Sequence, residues 1–181
     1  LIKVICPPNP EGFFDIKMSL LNGISYIFPK QMFYTDDTIE ISCGNISGIW
    51  TADKTYLLTC DCEVPNGETL TIESGVSVIA YPSVGLTVNG EINAIGQEND
   101  SIIFKCSQNF STIRWDGITI NYKGQFDFVK ITNANFGILH GEGTTNISNS
   151  TITNNKTGLS FSAGYRYLNS HISNCNIFDN N

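Results

Sequence analysis

Leu70-Thr71-Ile72, Leu86-Thr87-Val88, Ile102-Ile103-Phe104 and Ile118-Thr119-Ile120 begin 16 residues apart. Self-similarity at a fixed spacing is the mark of a solenoid, in which each turn buries its side chains only against the turns above and below. The repetition persists in another form beyond the fourth copy. Ile131-Thr132-Asn133-Ala134-Asn135-Phe136-Gly137-Ile138 returns 21 residues later as Ile152-Thr153-Asn154-Asn155-Lys156-Thr157-Gly158-Leu159. Ile147-Ser148-Asn149-Ser150 returns 25 residues later as Ile172-Ser173-Asn174-Cys175. Successive side chains of an extended segment face opposite sides. Taken as one stack, the spacing therefore predicts an inward column of Leu70/Ile72, Leu86/Val88, Ile102/Phe104 and Ile118/Ile120, with Thr71, Thr87, Ile103 and Thr119 facing outward. Asparagine between the phrases suits such turns, because its short amide tolerates left-handed backbone and can stack in ladders.

Helical periodicity is absent, and turn residues punctuate the chain at Pro65-Asn66-Gly67, Asn89-Gly90 and Lys123-Gly124. With 181 residues, 41% of them hydrophobic, the chain can order one core or one solenoid. Ten basic against seventeen acidic residues give a net charge of −7, which leaves no cationic surface to repay counterion release from phosphates. Nucleic acid is excluded as an expected partner. No apolar run approaches the roughly 20 residues of a membrane-spanning helix, so no membrane span is expected.

Residues 1–47 do not share the repeat and begin with Cys6-Pro7-Pro8-Asn9-Pro10, which is incompatible with regular pairing. They read as an N-terminal lead-in that caps the first turn, with short strands around Ile24–Phe28 and Thr38–Cys43, ahead of a solenoid over residues 48–181. The segments Gly48-Ile49-Trp50, Val64-Pro65-Asn66-Gly67, Leu70-Thr71-Ile72-Glu73-Ser74-Gly75, Leu86-Thr87-Val88-Asn89-Gly90 and Trp115-Asp116-Gly117-Ile118 resemble the opening of right-handed parallel β-helix repeat proteins of the pectin-lyase-like kind. The resemblance implies an all-β right-handed parallel β-helix in a secreted or surface protein. It does not imply catalysis, since many members of that group serve as stalks, adhesins or scaffolds.

The six cysteines are Cys6, Cys43, Cys60, Cys62, Cys106 and Cys175. An even number, together with sequons at Asn45, Asn99, Asn109, Asn146, Asn149 and Asn155, points to an extracellular protein with N-linked glycan. Cys60 and Cys62 project to the same side if their segment is extended, and Cys43 is the nearest partner in sequence for either. A zinc knuckle would need Cys-x-x-Cys, which the pair lacks. Cys106 and Cys175 read as small interior residues.

A polysaccharide-cleaving β-helix would need carboxylates on neighbouring turns. Asp116, Asp127, Glu142 and Asp179, with Arg114, Lys130 and Arg166 as cations, do not recur in register with the repeats. His140 and His171 are the only histidines and form no two-ligand motif. Trp50 and Trp115 could stack on sugars, or fill the core beside their glycines. The resulting expectation is a non-catalytic structural or adhesive module with no cofactor and no metal. Its partners are other subunits or further turns, and glycans. The alternative is a carbohydrate-active β-helix enzyme or glycan-binding domain, and a third reading is ice binding through the threonine column. The chain begins at Leu1 without Met and ends in a bare strand phrase, Cys175-Asn176-Ile177-Phe178. From this, a longer parent chain or a stacked filament is expected.

Overall fold

A computed structural model describes residues 12–19, 25–34, 38–52, 54–108, 112–161 and 170–180; within residues 12–34 it describes the backbone alone. Strands β1 (Gly12–Ser19) and β2 (Ser25–Tyr34) form an antiparallel pair, within a compact unit of residues 1–38 separate from residues 39–181. The expected capping role, the proline-rich start with Cys6, and Asn109 and Arg166 lie outside the described residues.

From Thr38 on, the described residues form an all-β parallel solenoid of about six turns. Among the described residues there is no helix. Each turn contributes one short strand to each of three parallel sheets. Face one contains β3 (Thr38–Ile41), β6 (Thr55–Leu58), β9 (Ser77–Ala80), β12 (Ile102–Cys106), β15 (Val129–Thr132), β18 (Thr151–Thr153) and β21 (Asn176–Phe178). Face two contains β4 (Gly44–Asn45), β7 (Cys62–Val64), β10 (Gly85–Val88), β13 (Trp115–Ile120), β16 (Ala134–His140) and β19 (Thr157–Phe161). Face three contains β5 (Gly48–Trp50), β8 (Thr69–Ile72), β11 (Glu91–Ile95), β14 (Lys123–Asp127), β17 (Thr144–Ser148) and β20 (His171–Ser173). Parallel pairing of β4 with β7 shows that the first turn begins upstream of Gly48.

Alternation within each strand builds the core. The middle strands read half-buried then buried, as in Thr69–Ile72 and Gly85–Val88. Each fully buried Leu, Ile or Phe contributes about 1.5–3 kcal/mol. Every apolar residue of the sequence-derived inward column is buried, yet these residues do not form one column. Leu70/Ile72 belong to face three, Leu86/Val88 and Ile118/Ile120 to face two, and Ile102/Phe104 to face one. The register pairs Leu86 with Cys62 and Ile118, and Leu70 with Ile92. The 16-residue spacing therefore carries the phrase from one face to another and is not the distance between stacked turns. The outward threonines separate in the same way: Thr87 lies beside Thr119, while Thr71 lies beside Ile49 and Asn93 on another face. The later repeats do give the register, since Ile131 pairs with Ile152 and Ile147 with Ile172.

The corners explain the asparagines. Phe128, Asn149 and Asn174 align after face three with φ of 48°, 49° and 52°. Asn133, Asn154 and Asp179 align after face one with φ of 58°, 58° and 52°. Left-handed backbone bends the chain from one sheet to the next, and Asn and Asp adopt it at low cost. Gly117 is required within β13, at the register irregularity against β16, where φ is +101° and a Cβ would collide with the Phe136 carbonyl.

Candidate functional site

The carboxylates hold turns together. Asp127 Oδ1 accepts from Ser148 Oγ and Asn149 Nδ2, both at 2.8 Å. Asp116 Oδ1 accepts from Asn135 Nδ2 at 2.9 Å, and Asp61 Oδ1 from the Gly85 amide at 2.9 Å. Glu63 accepts from Asn89, whose own carbonyl accepts from Asn121, at 2.8 and 2.7 Å. Glu91 pairs with Lys123 at 3.1 Å. Each bond joins neighbouring turns, so acidic groups that would be free in a catalytic cleft are spent on the stack. Glu142 is exposed on a loop, Asp179 is a corner residue, Lys130 is exposed on face one, and Arg114 Nη1 donates to the Asn154 carbonyl.

An open groove of about 490 Å³ lies between face three and the corner after it, lined by Thr71, Glu73, Ser74, Asn93, Ile95 and Asp100 among others. Its walls are tied by hydrogen bonds. Ser74 Oγ donates to the Asp100 carbonyl at 2.6 Å and to Asp100 Oδ2 at 2.9 Å, while Glu73 Oε2 accepts from the Ala52 amide at 2.9 Å. Register brings Thr71, Asn93, Gln125, Asn146 and His171 into one outward row on face three. This row is suited to hydrogen bonding with a polar chain and holds no acid–base pair. The sequence repeats gave no sign of it, because its members come from phrases of different spacing.

Both tryptophans are core residues. Trp50 is 5% exposed and stacks on Tyr56 with ring centroids 4.4 Å apart. Trp115 is 1% exposed, lies parallel to Phe104 at 6.4 Å and donates through Nε1 to the Thr132 carbonyl at 3.0 Å. With no ring face available to a sugar, the sugar-stacking reading of Trp50 and Trp115 is corrected.

His140 faces inward in the column of Ile120 and Phe161. It is 1% exposed, shares a 2.8 Å hydrogen bond with Thr145 Oγ1 through Nδ1, and leaves Nε2 buried without a partner. Burial pushes its basicity down, opposed in part by the Gly143 carbonyl, so the ring is neutral near pH 7. His171 is exposed on face three, on another turn. Among the described residues no group of three or more His, Cys, Asp or Glu side chains is placed to hold a metal ion, and no helix is long and apolar enough to cross a membrane.

Cys43 and Cys60 form a disulfide with Cα atoms 5.1 Å apart, tying the first turn to the second. Cys62 is not its partner. The corner at Asp61 turns Cys62 into the core, where its thiol donates to the Cys60 carbonyl at 3.3 Å. Burial, then the Asp61 carboxylate, raise its pKa and keep it protonated. Cys106 is buried and free, and Cys175 is half-buried and free.

No family model matches the chain, and no solved structure matches it. It is similar to Protein bark beetle of Drosophila melanogaster, with 36% identity over 129 aligned positions. That match covers 60% of this chain but 4% of the fly protein's length.

Proposed function

We propose that this chain is a non-catalytic structural or adhesive module of an extracellular protein, a rigid β-solenoid within a larger assembly. The observation that carries the reading is the use of the carboxylates: Asp61, Glu63, Asp116 and Asp127 each accept a hydrogen bond from an adjacent turn, so acidic chemistry is committed to rigidity. The Cys43–Cys60 disulfide supports an oxidising compartment. The small share of the fly relative that the chain matches supports a part played within something longer. Kinship with the pectin-lyase-like group is proposed on the same footing. Partners would be further turns or other subunits, docking through exposed strand edges.

The test is direct. Polyuronates and neutral polysaccharides incubated with the protein should yield neither reducing ends nor unsaturated products above background. Turnover that survives purification would refute the reading. A second reading, glycan binding without cleavage, is favoured by the groove beside Thr71 and Asn93. It requires that Asn93→Ala weaken retention on an immobilised glycan, with unchanged melting. Ice binding loses its support, because Thr71 sits on a different face from Thr87 and Thr119.

A further inference from the structure

The fold gives the sequons three unlike environments. Asn155 is fully buried at 0% exposure. Its Oδ1 accepts from the Ala134 amide at 2.9 Å, and its Nδ2 donates to the Ile131 carbonyl at 3.2 Å and to Asn180 Oδ1 at 3.1 Å. Asn146 and Asn149 bridge turns: Asn146 Oδ1 accepts from the His171 amide at 3.2 Å, and Asn149 Nδ2 donates to Asp127 at 2.8 Å. Asn45 and Asn99 are exposed. Asn45 pairs along the backbone with Glu63, which faces outward between buried Cys62 and Val64, so Asn45 faces outward as well. Asn99 sits at the tip of a turn closed by mutual backbone bonds between Gln97 and Asp100, at 3.2 and 3.0 Å.

We infer that Asn45 and Asn99 are N-glycan acceptors and that Asn155, although a sequon, stays bare. The inference rests on the extracellular reading above. In the transfer, a lipid-linked oligosaccharide diphosphate is the donor. The bond from sugar C1 to asparagine Nδ2 forms, the bond from C1 to the phosphate oxygen breaks, the lipid diphosphate leaves with the electron pair, and Nδ2 loses one proton to base. Transfer to an extended chain precedes folding, so the fold decides which modified chains reach the native state. A sugar on Nδ2 of Asn155 would drive that amide out of the core and leave the Ala134 amide and Ile131 carbonyl unpaired, each costing about 1–3 kcal/mol. On Asn45 or Asn99 the sugar enters solvent and disturbs no bond between turns.

The full chain, secreted from insect cells behind a cleavable leader, would be treated with a glycan-removing amidase in heavy-oxygen water and mapped by mass spectrometry. A non-reducing digest of the same sample reads the disulfide. Heavy aspartate is expected at positions 45 and 99 and not at 155. Asn45→Gln and Asn99→Gln should each remove one glycan step on a gel with unchanged melting. Folded, disulfide-linked protein that is bare at Asn45 or Asn99 overturns the assignment at that residue. Label at Asn155 in folded monomer overturns the burial argument. Free thiols at both Cys43 and Cys60 would instead refute the extracellular reading, and this inference with it.

Discussion

The early turns, through Ile120, and the late turns, from Asn121 onward, reach the same cross-section by different chemistry. Buried side chains of the early turns are apolar, while His140, Thr145, Ser150, Thr153 and Asn155 are all buried in the late turns. Early turns are joined by a disulfide and by carboxylates. Late corners use side chains that stand in for backbone. Asn155 and Asn180 each reach back to the preceding turn and bond its carbonyl, at Ile131 and Ile152, at 3.2 and 3.0 Å. Ser150 Oγ and Cys175 Sγ each donate to the carbonyl two residues earlier, at 2.6 and 3.1 Å, a bond the early turns share through Cys62 and Cys60. Apolar residues inside the late turns are as deeply buried as the early ones, with Ile131, Ile138, Ile147 and Ile152 at no more than 1% exposed, whereas Ile172 and Ile177 on the last two strands are half-exposed, at 39% and 43%. A solenoid can thus be held by apolar contact or by polar ladders, and the two should fail differently.

The largest expected effect contrasts one substitution at two depths. Ile118→Asp places an unpaired charge at a 0% exposed site and should abolish cooperative melting, since such burial exceeds the margin of most domains. Ile172→Asp in this same chain should shift the melting midpoint little. Equal losses in thermal melts would erase the distinction between the buried and the half-exposed site.

Next comes the disulfide. Replacing Cys43 and Cys60 with serine opens a crosslink of sequence separation 17 and should cost about 3 kcal/mol in chemical denaturation. Hydrogen exchange should place the loss in the early turns. Asn155→Ala leaves partners unsatisfied inside the late turns and should cost about 1–3 kcal/mol, with exchange accelerating around Ile131 and Ile152 before it does around Leu86. Uniform acceleration would mean that the turns unfold as one unit.

The smallest effect is acid sensitivity. The folded-state pKa of His140 is lowered from 6.5 by burial, so the unfolded chain binds the proton more readily. The contribution of the neutral ring is fully present above about pH 6.5 and is lost as pH falls below it, at no more than about 1.4 kcal/mol per pH unit. Melting between pH 7.5 and 5.5 should show this slope in the natural chain, and His140→Leu should flatten it. An unchanged slope in the variant would assign the dependence to other groups.

How far the sequence could be read differs between the same two regions. The late repeats give the register because the loops between Val129 and Leu159 keep a steady length, so spacing and pairing coincide. In the early turns, insertions such as Gln97–Ser101 change the spacing from turn to turn, and strands on different faces look alike. The phrases at 70, 86, 102 and 118 were therefore correct as buried strands and wrong as a single column. The outward row from Thr71 to His171 shows the same limit, because nothing local links residues that only the register brings together.

What the sequence determined by itself is local. Alternation sets which side chains of each strand are buried, asparagine and glycine mark where the backbone turns left-handed, and repetition implies stacking, because these depend on neighbours a few residues away. What the tertiary structure decided is everything that depends on loop length and through-space distance. It chose Cys60 rather than Cys62 for Cys43, turned Trp50 and Trp115 inward, and sealed the Asn155 sequon within the core. Those outcomes follow from which turn lies above which, and no short segment of the chain carries that information.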